Sequence, residues 1–450
     1  MRDTDIRIHA VNVSLTDEPF RIPLKLSTGP ITQSTYALIK ISVQNRRGEM
    51  AEGIGGVFLS DLWVFPTIEV ARNEKVQCMK EVVNRIKYRV LEVDDYMDPF
   101  QLDHLLLPEL IKILLDLQVK LQFPIKIPLL LGLVCWSPFD AAIHDGWGKA
   151  NKSSTYEMYN AECLNEDLGY YLGEGWRGRY PQQYLVPPCI KLGVQHVVGV
   201  TDPLTSAQSI GMDIPLDGLP VALDEWIAKD GVSRLKLKLK GQDVDWNKQF
   251  ICDVYKVAVE SLTRIGSKEL LQLSLDPNEA CPTPEPMVEL LQSLKELAPE
   301  VYRSITYIEQ PTPRDLSTYH FTLHALTKHK PVIIDESLED LANLAYIDRL
   351  GWSGVALKTC KGQSHAILTY CWAKQKDLFI TVQDLTNPGY ALVQSANLAS
   401  RLELSADVFE FNSRQYVPFS RVEERKQYPE LFQVRNGQIR LAEVNHLGLY

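Results

Sequence analysis

Lysines and carboxylates at the ends of apolar runs carry the chemistry that this sequence offers. Residues 234–241 read Arg-Leu-Lys-Leu-Lys-Leu-Lys-Gly, so a β-strand here points its lysines to one face and its leucines to the other. In a closed barrel with the leucines against the outer helices, the lysines face the interior, which is costly unless carboxylates or a substrate compensate them. Three later apolar runs end in Asp276, Glu309 and Asp335. The pattern therefore indicates a site where amines and carboxylates meet.

The three acidic residues predict a site for a divalent cation. They begin the tripeptides Asp-Pro-Asn, Glu-Gln-Pro and Asp-Glu-Ser, each directly after an apolar run. The carboxyl ends of parallel strands converge on one mouth of a barrel, so carboxylates from adjacent strands can share one ion. Oxygen-only ligands favour a hard cation, Mg²⁺ first and Mn²⁺ second. Asp335 is preferred to Glu336 as the third ligand. Glu336 and Asn278 are expected to contact the ligands without binding the ion themselves.

The elements that must position these residues follow an α/β pattern over residues 191–411. Eight short β-type runs occur, most of them separated by helix-length gaps: 196–200, 234–240, 271–275, 305–308, 332–334, 354–357, 379–382 and 407–411. This alternation predicts a (β/α)7β barrel of the TIM type. The sequence contains no GxGxxG or GxxxxGK[ST] motif, which counts against a nucleotide-binding doubly wound fold.

The segments on either side of the barrel complete a prediction of four regions. Residues 1–150 begin with alternating strand-like runs and continue with helical periodicity, which predicts an N-terminal α+β domain. The Gly/Pro/Thr-rich stretch 26–32 within it is expected to be a mobile loop. Residues 151–190 lack clear periodicity and are interpreted as a connector with an insertion. Residues 412–450 form a C-terminal segment.

Composition limits the possible partners of the chain. Its 450 residues are 45% hydrophobic and 23% charged, as in an ordinary globular protein, and the formal charge of -10 argues against nucleic acid or an anionic membrane as partner. The eight scattered cysteines lack metal-ligand spacing and are typical of reduced thiols in a cytoplasmic protein. The most apolar segment, 104–135, is interrupted by charges at helical spacing, which predicts an amphipathic helix instead of a membrane span.

The order of the strand-end motifs resembles that of the enolase superfamily, within it the muconate-lactonizing-enzyme branch of the mandelate racemase/muconate lactonizing enzyme family. The motifs are Lys-x-Lys at 236–238, Asp-x-Asn at 276–278, Glu-Gln-Pro at 309–311, Asp-Glu-Ser at 335–337 and Lys358. Residues 141–150 are similar to the helix that ends the family's capping domain, and the tail is similar to its C-terminal return. The resemblance implies a capping domain on a barrel, and a homo-oligomer.

The same resemblance implies a role for each strand-end residue. Asp276, Glu309 and Asp335 would bind Mg²⁺. Lys238 would be the general base on one face of the substrate α-carbon, and Lys358 the acid or base on the opposite face. Lys236 would help to hold the substrate carboxylate and add positive potential. The alternative register, Lys238 with Lys240, stays open, although Lys240 adjoins Gly241 and is expected in the turn.

Residues that contact the substrate are harder to identify from the sequence. Asp384 and Thr386, after the seventh barrel run, are the best candidates. Thr28 and Thr32 belong to the loop that would cap the site by analogy. A His/Asp pair, as in the mandelate-racemase branch, would need a histidine at the end of the seventh run, where the sequence has Gln383-Asp384.

With these roles, the resemblance implies removal of the α-proton of a small carboxylate substrate through an enediolate. With a lysine on each face, racemisation or epimerisation of an amino-acid derivative or dipeptide is the leading expectation. Cycloisomerisation, and dehydration of a hydroxy acid or acid sugar, use the same intermediate and remain alternatives. A metal-binding barrel without catalysis is the alternative from another class of protein.

Overall fold

An antiparallel sheet and four helices form the N-terminal domain. The structure is a computed structural model that describes residues 1–26, 29–406, 408–441 and 447–450. The strands are β1 Ile6–Leu26, β2 Gly29–Asn45 and β3 Met50–Phe58, paired in that order. The helices are α1 Asp61–Val64, α2 Arg72–Leu91, α3 Pro99–Leu121 and α4 Leu129–Ala150. The sheet packs directly on α4: a Cβ at Gly53 or Gly55 would lie within about 2 Å of a carbonyl oxygen of α4.

The hairpin of β1 and β2 is longer than the sequence pattern indicates. The loop predicted at 26–32 is wrong for residues 29–32, because β2 already begins at Gly29 and Ile31 pairs with Leu24. The Gly/Pro composition of this stretch concealed a paired strand, in which Ile31 and Ser34 are buried, whereas Thr32 and Gln33 are exposed. Thr28, a predicted substrate contact, lies outside the described residues.

The barrel consists, within the described part of the chain, of eight parallel strands. They are β4 Lys191–Val198, β5 Arg234–Lys238, β6 Gln272–Asp276, β7 Ile305–Glu309, β8 Val332–Ile334, β9 Gly354–Leu357, β10 Phe379–Val382 and β11 Val408–Glu410. Each strand pairs with the next, and β11 pairs with β4 in parallel, which closes the barrel. The predicted α/β fold, a (β/α)7β barrel with an α+β capping domain, is confirmed.

Helices surround these strands. They are α6 Leu223–Asp230, α7 Val244–Arg264, α8 Glu285–Leu297, α9 Pro299–Ser304, α10 His324–Thr327, α11 Leu344–Leu350, α12 Gln363–Gln375 and α13 Gly389–Ser400. The barrel strands are short and almost entirely buried, as expected for parallel strands covered on both faces. Among the described residues, none of the helices has both the length and the apolar character needed to cross a membrane.

The connector and the C-terminal segment hold the two domains together. The connector contains short 3-10 turns and α5 Leu168–Leu172. After α14 Ser413–Tyr416 and α15 Val422–Gln427, β12 Gln438–Arg440 pairs antiparallel with β4. The last residues return to the cap, where the Leu449 backbone N–H donates to Asp145 and the Tyr450 hydroxyl donates to the Ile54 carbonyl. The boundaries after residues 150, 190 and 411 stay predictions.

Candidate active site

The predicted site residues meet at the carboxyl ends of the barrel strands. Lys236 and Lys238 lie on β5, Asp276 ends β6 and Glu309 ends β7. Asp335 directly follows β8, and Lys358 directly follows β9. In the closed order, β5 and β9 are four strands apart in either direction, so their lysines enter the mouth from opposite sides.

Of the three lysines Lys236, Lys238 and Lys358, Lys236 is the most buried, and hydrogen-bond acceptors surround its amine. Its Nζ donates to Glu309 at 2.7 Å and to Gln383 and Glu410 at 3.0 Å each, and lies 3.1 Å from Asp276. Burial alone would lower the pKa of Lys236, but the carboxylates of Glu309, Glu410 and Asp276 outweigh it and raise the pKa well above its usual value. The inward row of lysines that the Lys/Leu alternation predicts is thus compensated by carboxylates.

Gln383 and Glu410 were not identified as site residues from the sequence. Gln383 directly follows β10 and Glu410 ends β11, so their side chains reach the same mouth as the acidic residues at the ends of β6, β7 and β8. Their position at strand ends was the available signal. It was weak because β11 is only three residues long in the structure, so its register is poorly specified by pattern.

Lys238 and Lys358 face one cavity, and each is paired with a carboxylate. Lys238 Nζ lies 2.5 Å from Asp276 Oδ2, and Lys358 Nζ lies 2.7 Å from Asp335 Oδ2. The side chain of Lys238 is 19% exposed and that of Lys358 5%. Burial would lower the pKa of Lys358, but Asp335, Glu309 and nearby Glu336 overcome this and raise it above its usual value. Lys358 is therefore protonated in this arrangement, the form that delivers a proton.

Lys240 is separated from the site. Its side chain is exposed, and its Nζ lies 4.0 Å from the ring centroid of Trp246 at the start of α7. Its backbone N–H donates to Asn247 in the same helix. Because strand β5 ends at Lys238, the turn carries Lys240 away from the barrel interior. This geometry favours the Lys236/Lys238 register over Lys238/Lys240.

The three predicted metal ligands fit a hard cation by their chemistry. They supply only oxygen donors, and Glu309 Oε2 is buried without a hydrogen bond among the described residues. Burial raises the pKa of Glu309 to about 7 against the opposing effect of Lys236, whereas Lys358 and Lys361 overcome burial and hold the pKa of Asp335 below its usual range. In the part of the chain that the structure describes, no group of three His, Cys, Asp or Glu side chains is arranged to hold a metal. Each of these three carboxylates is paired with a lysine.

Asp335 and Glu336 have different surroundings. Asp335 faces the barrel mouth, where Lys361 Nζ donates to its backbone carbonyl at 2.6 Å and lies 3.2 Å from Oδ1. Glu336 turns towards the cap and accepts from Trp63 Nε1 at 2.9 Å and from Asn278 at 3.4 Å. Burial, with Asp335 nearby, raises the pKa of Glu336 to about 8. Lys361 was missed in the sequence because only the first lysine of Lys-x-x-Lys directly follows the strand.

The other predicted substrate contacts are distributed unevenly. Asp384, Thr386 and Asn278 line the cavity, Thr386 in a left-handed conformation with φ of 59°. Asp384 Oδ1 accepts two backbone N–H groups of its own turn, while Oδ2 is buried without a hydrogen bond from any described residue. Thr32 is exposed and does not belong to the residues lining the cavity, and Thr28 lies outside the described residues.

The cavity combines a charged floor with a mainly apolar roof. Its floor includes the three lysines at positions 236, 238 and 358 with Glu410, Asn412 and Asp384. Its roof comes from the cap, with Phe20, Leu24, Ile31 and Trp63. Such a space suits a molecule with an anionic head directed to the lysines and an apolar remainder under the cap.

Asp384 predicts a measurable pH dependence of stability. Burial, with Glu410 adding to it, raises the pKa of Asp384 to about 8, against about 3.9 in an unfolded chain. A raised folded pKa contributes stability that is complete at low pH and is lost as the pH rises towards 8. In urea unfolding from pH 5 to 8, we expect Asp384→Asn to gain stability relative to wild type by up to about 1.4 kcal/mol per pH unit. A difference that does not change with pH would contradict this.

Comparisons with solved structures support the fold of the chain. No protein-family model matches the chain, and no curated protein matches it by sequence. Among solved structures, a mandelate racemase/muconate lactonizing protein from Herpetosiphon aurantiacus is 15% identical with a TM-score of 0.60, over 100% of this chain and 99% of that one. The L-Ala-D/L-Glu epimerase from Bacillus subtilis, in a substrate-liganded complex, is 16% identical with a TM-score of 0.60, over 91% and 90%.

A third similar structure includes a metal. An enolase from Bradyrhizobium complexed with magnesium and mandelic acid is 14% identical with a TM-score of 0.59, over 99% of this chain and 96% of that one. At these identities the similarity shows the fold alone. The chain therefore shares the fold of these solved structures over nearly its whole length, capping domain included.

Proposed function

We propose that this protein is a Mg²⁺-dependent enzyme that removes the α-proton of a carboxylate substrate. Racemisation or epimerisation of an amino-acid derivative or dipeptide is the reaction that the site supports best. The observation that carries this proposal is the placement of Lys238 and Lys358, which come from opposed strands and face one cavity. Two amines on opposite sides of a carbon provide one group to take a proton and another to return it.

The lysines would act in sequence on the two faces of the α-carbon. Lys238, in its neutral form, would take the α-proton from one face, leaving an enediolate with negative charge on the carboxylate oxygens. Lys358, protonated beside Asp335, would then deliver a proton to the opposite face. The reverse reaction exchanges these roles, so each lysine works on one enantiomer. Mg²⁺ bound by Asp276, Glu309 and Asp335 would supply the positive charge that stabilises those oxygens.

The remaining residues would hold this arrangement in place. Lys236, bonded to Glu309, Gln383 and Glu410, keeps the carboxylates of several strands at fixed positions and contributes positive potential to the floor of the cavity. The apolar roof, with Phe20 and Leu24, excludes water and favours a substrate with an apolar group beyond its carboxylate. Lys236 thus acts mainly through the carboxylates that it contacts.

A dehydratase is a second candidate because of one specific observation. Asp384 has a pKa raised to about 8 by burial, and its free Oδ2 belongs to a residue that lines the cavity. A neutral carboxylic acid there could protonate a hydroxyl group leaving from the carbon next to the enediolate. Cycloisomerisation would use the same lysines without this acid. A barrel without catalysis is opposed by the retention of both lysines.

The deciding experiment is an exchange assay in D₂O. The purified protein, with Mg²⁺, is incubated with a library of dipeptides, N-acyl amino acids and acid sugars, and deuterium at the α-carbon is followed by NMR and mass spectrometry. We expect exchange and inversion in one compound class; exchange with loss of water would select the dehydratase instead. A protein that never exchanges an α-proton would contradict enzymatic function. The small-molecule substrate, the homo-oligomer and the cytoplasmic location stay predictions.

Magnesium binding can be tested without a substrate. Adding Mg²⁺ to metal-free protein is expected to raise the midpoint of thermal unfolding, because a ligand that binds only the folded state stabilises it, by about 2.7 kcal/mol at 100 times its Kd. Glu309→Gln, which removes a buried charge and one oxygen donor, is expected to abolish this shift. Glu300→Gln, at the start of the remote α9, serves as the control and keeps it. Equal shifts in both variants would contradict the assignment of the site.

A further inference from the structure

Trp63, in the capping domain, contacts two ionisable side chains of the barrel site. It lies in α1, lines the cavity and is only 9% exposed. The Nζ of Lys358 lies 4.6 Å from the centroid of its ring, and its indole Nε1 donates to Glu336 Oε1 at 2.9 Å. One side chain of the capping domain therefore contacts both the lysine after β9 and the carboxylate next to Asp335.

The backbone of Trp63 is hydrogen-bonded to a residue of the barrel. Arg314, in the loop after β7, donates to the carbonyl oxygens of Trp63 at 3.1 Å and Val64 at 3.3 Å. The same guanidinium is held by Glu279 through bonds of 2.8 and 2.6 Å. In the cap, Asp61 of the same short helix pairs with Arg72. The position of the indole is therefore determined from both domains.

We infer that Trp63 is a positioning residue for Lys358. The docked cap thereby orients the lysine that acts as acid or base on the second face of the substrate. A lysine side chain has four rotatable bonds, and Asp335 restrains the end of Lys358 through one ion pair. The π-face of Trp63 attracts the ammonium group from the other side, and the cation–π contact is strong because the site is desolvated. Lys238, on the opposite strand, has no such contact with Trp63 among the described residues.

This inference rests on the proposed function for its catalytic consequence, but the contact itself can be measured without any substrate. In protein labelled with [¹³C]lysine, the ε-methylene signal of Lys358, identified by its absence in Lys358→Met, is expected upfield of ordinary lysine signals because it lies over an aromatic ring. Trp63→Leu is expected to return it to the ordinary range. The control is Trp176→Leu, an equally buried tryptophan in the connector, which is expected to leave the signal in place. A Lys358 signal that is the same in Trp63→Leu and wild type would overturn the inference.

The catalytic consequence is a loss confined to one enantiomer. With the substrate found by the exchange screen, Trp63→Leu is expected to slow α-exchange of the enantiomer served by Lys358 by about 10²-fold, the cost of a misplaced reacting group. The maximal exchange rate of the enantiomer served by Lys238, measured at saturating substrate, should fall much less, because Trp63 has no cation–π contact with Lys238 among the described residues. Trp63→Phe, which keeps an aromatic face but lacks the indole N–H, is expected to restore most of the lost rate.

The outcomes separate this inference from the proposed function. Equal loss for both enantiomers in Trp63→Leu would show a general structural defect and overturn the positioning role. A Phe variant as slow as the Leu variant would show that the ring contact is not what orients Lys358, with the same consequence. Wild-type protein that exchanges neither enantiomer of any compound overturns the proposed function and the catalytic half of the inference together, while the lysine spectrum still decides the contact.

Discussion

Lys358→Met is expected to stop α-proton exchange of one substrate enantiomer while the other enantiomer continues to exchange. Lys238→Met is expected to give the mirror result, because the two lysines enter the cavity from opposed strands. Racemisation should be lost in both variants, since it needs a proton removed on one face and returned on the other. The expected loss for the affected enantiomer is about 10²–10⁴-fold, the usual contribution of a positioned acid or base. The measurement is deuterium incorporation into each pure enantiomer in D₂O.

Lys240 provides the matched control for this experiment. It lies two residues beyond Lys238, but its side chain is exposed and rests on Trp246 outside the barrel. Lys240→Met should therefore leave both exchange rates within about twofold of wild type, as expected for surface substitutions. If Lys240→Met abolished exchange, the alternative lysine register would be correct. If Lys238→Met or Lys358→Met slowed both enantiomers equally, the assignment of one lysine to each face would be wrong.

Lys236→Met is expected to reduce the free energy of unfolding by about 3–5 kcal/mol, the usual cost of removing one partner from a buried ion pair. Lys236 is 1% exposed and compensates Glu309, Glu410 and Asp276 at once, so its removal leaves several buried negative charges close together. The loss should be smaller at pH 5 than at pH 8, because protonation of a carboxylate at the lower pH removes part of the repulsion. Urea unfolding at the two pH values measures it.

A second substitution tests the electrostatic cause. Glu410→Gln removes one of the uncompensated charges while keeping nearly the same shape, so the double variant Lys236→Met/Glu410→Gln should be more stable than Lys236→Met alone. Contacting residues of one network are expected to show such coupling. A double variant that is less stable by the sum of the two single effects would show that the loss comes from packing and not from charge.

Periodicity and strand-end chemistry allowed much of this protein to be predicted from its sequence. The alternation of lysine and leucine in β5 determines which face of the strand is charged, because side chains in a strand point to opposite faces in turn. The spacing of the apolar runs determines a barrel, since each parallel strand needs a crossover of helical length. Acidic residues that directly follow apolar runs necessarily lie at one mouth. The fold and the group of lysines and carboxylates therefore follow from local pattern.

Contacts between distant segments depended on the tertiary structure. Nothing near Trp63 in the chain indicates that it meets Lys358, because that contact depends on how α1 of the cap docks on the barrel. Lys361 and Glu410 lie near strand ends, but their partners are determined by side-chain conformations and by the register of neighbouring strands. The hairpin at 29–32 was mistaken for a loop because its pairing with β1 stabilises a composition that favours turns locally.

The sequence by itself thus determined the chemical groups of the site and the mouth at which they gather. The tertiary structure decided which carboxylate each lysine faces, which of the three lysines in β5 and its turn are inside, and how the cap closes over them. The physical reason is that side-chain periodicity is a property of a few consecutive residues, whereas ion pairing and burial depend on atoms brought together across hundreds of residues.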